Sequence, residues 1–300
     1  MDDPEILDSL FQEAVSYIDA GDAAALERLL AGNPRLVRDR LESPGAWLRD
    51  KVGGALDGFF RQPYLLWFVA EDPVRNGKLP GNIAAVASAI IDAAHRDDVP
   101  SLREQLDYAL ALVSWSWIAR QCGVQLELID VLIDAGASPD GNANNALVNG
   151  NFAAAEHLVE RGDTLTLAAA LCLGRWDDVS RLVRTASDAQ KRFAFVLAAL
   201  NGKADALRRM IAVGVDVNCP SEELYSHGTP LHHAVSSGSL EAVRVLVEAG
   251  AELRSEDSAW HGTPLGWAEH YISEAKVADA GTSYAEIAAY LRAKDDSAAL

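Results

Sequence analysis

Three cysteines in 300 residues, Cys122, Cys172 and Cys219, are too few and too scattered for a disulfide framework. They read as reduced thiols at ordinary core or loop positions. No run of eighteen apolar residues occurs, so no segment is long and greasy enough to cross a bilayer as a helix. The opening residues, Met1-Asp2-Asp3-Pro4-Glu5, are acidic where a secretory leader is basic and then apolar. These absences together lead us to expect a cytoplasmic chain.

Positive charge is scarce as well, with 26 Lys and Arg against 44 Asp and Glu and a formal net charge of -18. Nucleic-acid binders draw most of their affinity from neutralising phosphates with a basic face. No Lys/Arg cluster interrupts the acidic background, so neither a nucleic acid nor an anionic membrane is expected as a partner. The charge serves solubility or a preference for basic partners.

Catalytic signatures are missing too. Gly53-Gly54-Ala55-Leu56-Asp57-Gly58 lacks the lysine and the strand-to-helix setting of a phosphate loop. There is no His-Glu-x-x-His, no paired Cys-x-x-Cys and no Gly-x-Ser-x-Gly elbow. Glu269 and His270 are adjacent, so on a helix their side chains diverge by roughly 100°. We expect a non-enzyme without cofactor or metal, although a site assembled from distant segments needs no local motif.

What the chain does have is apolar content, 49%, and a period. Thr229-Pro230-Leu231-His232-His233-Ala234 returns 34 residues later as Thr263-Pro264-Leu265-Gly266-Trp267-Ala268, each copy preceded by His-Gly. A threonine caps a helix start, and proline suits the first helical position because no N–H is needed there. Gly238 fits a tight turn between antiparallel helices, Leu240, Val243, Leu246 and Val247 line one face of a second helix, and Gly250 suits its end. Such a hairpin cannot bury its apolar face alone.

These residues resemble the ankyrin repeat, whose signature is Thr-Pro-Leu-His-x-Ala with a period near 33. The likeness is clearest over 190–293. Degenerate copies follow turn glycines at Gly202, Gly174, Gly150 and Gly21, with second-helix stripes at Ala206, Leu207, Met210 and Ile211, at Val179, Leu182 and Val183, at Ala154, Leu158 and Val159, and at Leu26, Leu29 and Leu30. Asp3-Pro4-Glu5 is expected to open the first helix, with a stripe of Ile6, Leu7, Leu10, Val15 and Ile18. Ser283-x-x-Glu286 is expected to box the start of the last. The resemblance implies an all-α, ankyrin-type helical-hairpin solenoid of about eight helix pairs, residues 1–300 forming one array. Within it, 1–120 is divergent with a long insertion near 36–60, 120–293 is more regular, and 294–300 is a flexible tail. In the divergent part, Tyr64–Val69 with Ile83–Ala94, and Leu102–Ile118 with Val124–Ala135, are expected helix pairs.

Ankyrin repeats bind and scaffold proteins, so the resemblance implies a protein partner held on the concave face. Only 216–228 and 252–262 leave room for full hairpin fingers. Candidate binding residues there are Tyr225, His227, His233, Trp260, His261 and Trp267. Tyrosine and tryptophan give large contact area for few rotamers, but Trp260 can equally stiffen the array by packing on the neighbouring finger. His232, the motif histidine, is implied to hydrogen-bond neighbouring backbone. His227, His233 and His261 are weighed as metal ligands and set aside, because stacked helices lie about 8–10 Å apart, far beyond the reach of Zn–N bonds of about 2.0–2.1 Å. A second aromatic concentration, Trp47, Phe60, Arg61, Tyr64, Trp67 and Arg75, either fills irregular space behind the insertion or lines an apolar pocket around 47–75 that serves a small-molecule binder or an enzyme.

Overall fold

The computed structural model describes residues 4–274 and 278–298, with side chains over 4–274 and 283–296. It forms two compact units, Met1–Thr164 and Leu165–Leu300. Both are helical; the one β-type pairing among the described residues is a bridge between Ser221 and Leu224. No described helix is long and apolar enough to cross a membrane.

In the first unit, α1 (Pro4–Ala20) and α2 (Ala23–Gly32) form a hairpin. The insertion expected at 36–60 contains α3 (Arg35–Arg38), α4 (Ala46–Val52) and a 3-10 turn at Gly53–Asp57. A second 3-10 segment, Leu65–Ala70, precedes α5 (Ile83–Arg96), α6 (Leu102–Trp115), α7 (Trp117–Gln121), α8 (Gln125–Asp134), α9 (Asn142–Val148) and α10 (Phe152–Glu160). Two rows result: α1, the segment Leu65–Ala70, α6 and α9 pack in succession, and behind them α2, α5, α8 and α10. The 3-10 segment thus stands where a first helix would. Tyr64 enters it extended and Glu71 leaves it left-handed at φ +50°, which limits it to six residues, all buried.

Two local expectations need correction. The inner face of α1 carries Phe11 and Ala14, both fully buried, whereas Ile6 is 55% exposed. The helix expected over 102–118 breaks at Ser116, whose ψ of 108° ends α6 and whose hydroxyl accepts the Ala119 N–H to cap α7, a local bond that competes with helix continuation. The cap assigned to Asp3 lies outside the described residues.

The second unit is more regular. Its first row is α11 (Leu167–Cys172), α13 (Asp188–Leu200), α15 (Pro230–Ser236) and α17 (Pro264–Glu274); its second is α12 (Trp176–Leu182), α14 (Ala204–Ala212), α16 (Leu240–Glu248) and α18 (Ala278–Ala298). Leu207, Met210 and Leu246 are fully buried between neighbouring pairs; each such side chain contributes about 1.5–3 kcal/mol that a lone hairpin would forgo. Gly202 turns α13 into α14 at φ +62°, and a Cβ there would lie 2.7 Å from that of Ser239. Helix α18 starts before Ser283, which therefore does not cap it; the Ser283 hydroxyl instead donates to the carbonyl of Gly238, fastening α18 to the preceding turn. The helix runs on to Ala298, into the expected tail. Residues 275–277, between α17 and α18, lie outside the described residues.

Candidate binding face

The two fingers leave the second unit on the side of α15 and α17. Pro230 opens α15 without an N–H to satisfy. His232, one turn in, accepts the Thr229 N–H on Nδ1 at 3.1 Å and donates from Nε2 to the Gly262 carbonyl at 3.0 Å. Its imidazole thereby ties one repeat to the base of the next finger. Burial lowers its pKa from the ordinary histidine value. His233, 2% exposed, donates from Nε2 to the Tyr225 carbonyl at 3.2 Å, and burial pushes its pKa down to about 4. Both rings are neutral structural links at neutral pH.

The second finger is organised by Asp257, 1% exposed. One carboxylate oxygen accepts the backbone N–H groups of Ala259 at 2.9 Å and Trp260 at 2.6 Å. The other accepts the Gly262 N–H at 2.8 Å and the Trp267 indole N–H at 2.9 Å. Burial alone would raise the pKa of this acid; the four donated hydrogen bonds outweigh it and hold the carboxyl at about 2. The fingers also join directly, Ser258 N–H donating to the His227 carbonyl at 2.8 Å.

Six rings gather over this frame. His227 lies 5.1 Å from Trp260, 5.9 Å from Trp267 and 6.0 Å from His233 between ring centres. Tyr225 is 6.1 Å from both His227 and His233, and Trp267 is 5.0 Å from His232. Five of the six expected binding residues, Tyr225, His227, His233, Trp260 and Trp267, therefore form one cluster. His261 stands apart, its side chain 79% exposed and its Nδ1 3.9 Å from Glu256. Among the described residues no group of three His, Cys, Asp or Glu is placed to hold a metal. Trp260 packs on His227 and Trp267, while 70% of it faces solvent.

Beside Trp260 lies a cleft of about 440 Å³, lined by Trp260, Gly262, Gly266, Trp267, His270 and Tyr271. Sequence reasoning did not single out Asp257 or Tyr271, and weighed His270 only as a catalytic partner of Glu269. An acid five residues ahead of a finger glycine was the available signal for Asp257. The contributions of His270 and Tyr271 follow from how α17 is turned.

The aromatic concentration of the first unit is arranged differently. Phe60, Tyr64 and Trp67 are at most 6% exposed and pack on one another and on Phe68. Trp47 stacks on Phe68 at 6.3 Å and donates its indole N–H to Asp8 at 2.8 Å. The Arg75 side chain, 2% exposed, pairs with Glu71 at 2.8 Å and Asp19 at 3.0 Å. Arg61 faces a separate surface cleft with Glu42, Arg49 and Asp57. These six residues do not share one opening.

Residues 165–257 match the family of ankyrin repeats, in three copies. Over 64 residues the chain is 42% identical to the potassium channel GORK and 41% to SKOR, both of Arabidopsis thaliana, and 34% to KOR2 of Oryza sativa subsp. japonica. Each alignment takes in 21% of this chain and only 7 or 8% of the channel. Among solved structures, the human ASB11 ankyrin repeat domain pairs with 74% of this chain and 96% of its own at 16% identity and a TM-score of 0.34. Residues 165–257 thus carry three ankyrin repeats, modules that generally mediate protein–protein interaction.

Proposed function

We propose that this chain is a binding module that holds a protein partner against the face made by α15, α17 and the fingers 216–228 and 252–262, with no catalysis of its own. The carrying observation is Trp260, a large apolar ring 70% exposed, whose backbone N–H is held by buried Asp257 and whose ring packs on His227 and Trp267 beside a cleft. A ring already held in place loses little freedom on binding, so its contact area converts into affinity rather than ordering cost. Tyr225, 49% exposed at φ +44°, offers a second anchor on the neighbouring finger. The histidines that would otherwise suggest proton transfer are occupied with backbone: His232 with Gly262 and His233 with Tyr225. The acidic face disfavours nucleic acid. A cytoplasmic setting accords with the free thiols Cys122, Cys172 and Cys219, of which Cys172 is buried and pushed up to about 12.

The test is comparative affinity capture with the wild-type chain and the Tyr225→Ala/Trp260→Ala variant. Loss of specific partners from the variant, with its melting temperature unchanged, supports the binding face. Equal recovery of every partner removes it.

A further inference from the structure

We infer that the cleft beside Trp260 receives a cationic side chain, the guanidinium or ammonium of a basic segment on the partner protein. This rests on the protein-binding reading above and names the chemistry of the contact.

Three observations converge on the cleft. Its walls are aromatic, with Trp260, Trp267 and Tyr271 among six lining residues. Indole faces carry the negative lobe of the ring quadrupole and attract cations more strongly than other aromatic side chains. Arginine suits such a wall well, since its flat guanidinium stacks on a ring while its N–H groups stay free to donate.

Behind the wall sits Asp257, buried and ionised. Its charge is held by four N–H donors, and among the described residues no cation pairs with it. Three of those donors, the backbone N–H groups of Trp260 and Gly262 and the Trp267 Nε1–H, belong to residues that line the cleft. Hydrogen-bond dipoles stabilise an anion without cancelling its net charge, so its field reaches the cleft.

The surrounding sequence carries the same sign. Between Asp216 and Glu274 stand ten carboxylates against two arginines, a net of -8 out of -18 for the whole chain. Both arginines are engaged away from the cleft, Arg254 with Asp295 at 2.7 Å and Arg244 over the Tyr290 ring at 5.6 Å. An anionic group would be repelled here. A neutral apolar group would gain contact area but leave the charge without an answer. A cation on an apolar stem uses both.

The experiment follows the indole N–H signals of the full-length chain by NMR, at about pH 8 where histidines are ordinarily neutral. The probes are acetyl-Gly-Arg-Gly-amide and the same peptide with citrulline, a neutral near-isostere of arginine. The arginine peptide is expected to shift the Trp260 and Trp267 signals saturably, with the citrulline peptide about fivefold weaker, the scale of an exposed cation–π contact. Trp260→Ala should abolish the preference, and Trp260→Phe should keep part of it. Because Trp260 is mostly exposed, both variants should melt with the wild type, so lost binding would not reflect lost folding. Equal shifts from the two peptides, an arginine preference surviving in Trp260→Ala, or no shift at Trp260 and Trp267 up to the solubility limit each overturn the inference. If partner capture still depends on Tyr225 and Trp260 while the peptides fail, the binding face stands and only the cation subsite falls.

Discussion

The indole N–H of Trp267 donates to the buried carboxylate of Asp257 over 2.9 Å, joining helix α17 to the finger that precedes it. The same carboxylate holds Ala259, Trp260 and Gly262 by their backbone N–H groups. The exposed ring at the finger tip is therefore positioned from inside the protein.

Asp257→Asn keeps the shape but turns an amide N–H toward groups that are themselves donors. At least one buried donor loses its acceptor, which costs about 2 kcal/mol. Chemical denaturation of the variant should show that loss. A free energy of unfolding equal to wild type would mean the carboxylate is not the organiser of this finger.

Asp257 also predicts an acid dependence. Its carboxyl is at about 2 in the folded protein against 3.8 ordinarily, so its contribution is present above about pH 4 and fades as pH falls toward 2. His233 acts in a higher window. Its folded value, about 4, lies below the ordinary 6.5, so the unfolded chain binds the proton first and stability drains away as pH falls from about 6.5 to 4. The full drop is about 3 kcal/mol. Unfolding measured at several pH values should be steeper in this window for wild type than for His233→Gln; parallel curves would contradict the assignment.

A methyl group at Gly262 would sit 3.0 Å from both the Asp257 carboxylate and the Trp267 ring. Gly262→Ala should therefore lower stability by about 1–3 kcal/mol through overpacking. Gly81→Ala, where nothing lies within 4 Å of the added carbon, serves as the control. Thermal melts of the two compare the sites directly, and equal melts would show that the finger base yields.

In the first unit, Glu71 and Arg75 are almost wholly buried and paired at 2.8 Å. Glu71 also accepts the backbone N–H groups of Arg75 at 2.8 Å and Gly77 at 2.9 Å, shaping the loop after the 3-10 segment. Arg75→Met would leave that carboxylate without its cation, costing about 3–5 kcal/mol. A variant as stable as wild type would show the pair to be dispensable.

Much of the second unit was legible because each repeat states its own turn chemistry. Pro230 opens its helix, Gly202 and Gly238 take left-handed turns, and His232 bonds the neighbouring repeat as the motif implies. The first unit was harder, because Leu65–Ala70 has the apolar content of a helix in six residues between Tyr64 and a left-handed Glu71. Ser116 misled for a similar reason: a hydroxyl that caps the next helix looks in sequence like any polar position inside one.

The sequence by itself determined the hairpin unit, its period and the two places where fingers have room, since caps, turns and apolar spacing act over a few residues. Only the tertiary structure decided that His227, His233, Trp260 and Trp267 meet, that Asp257 stands charged beneath them, and that His270 and Tyr271 complete a cleft. Those relations join side chains 6 to 40 positions apart, and the stacking of neighbouring repeats, which no local pattern encodes, sets the distances between them.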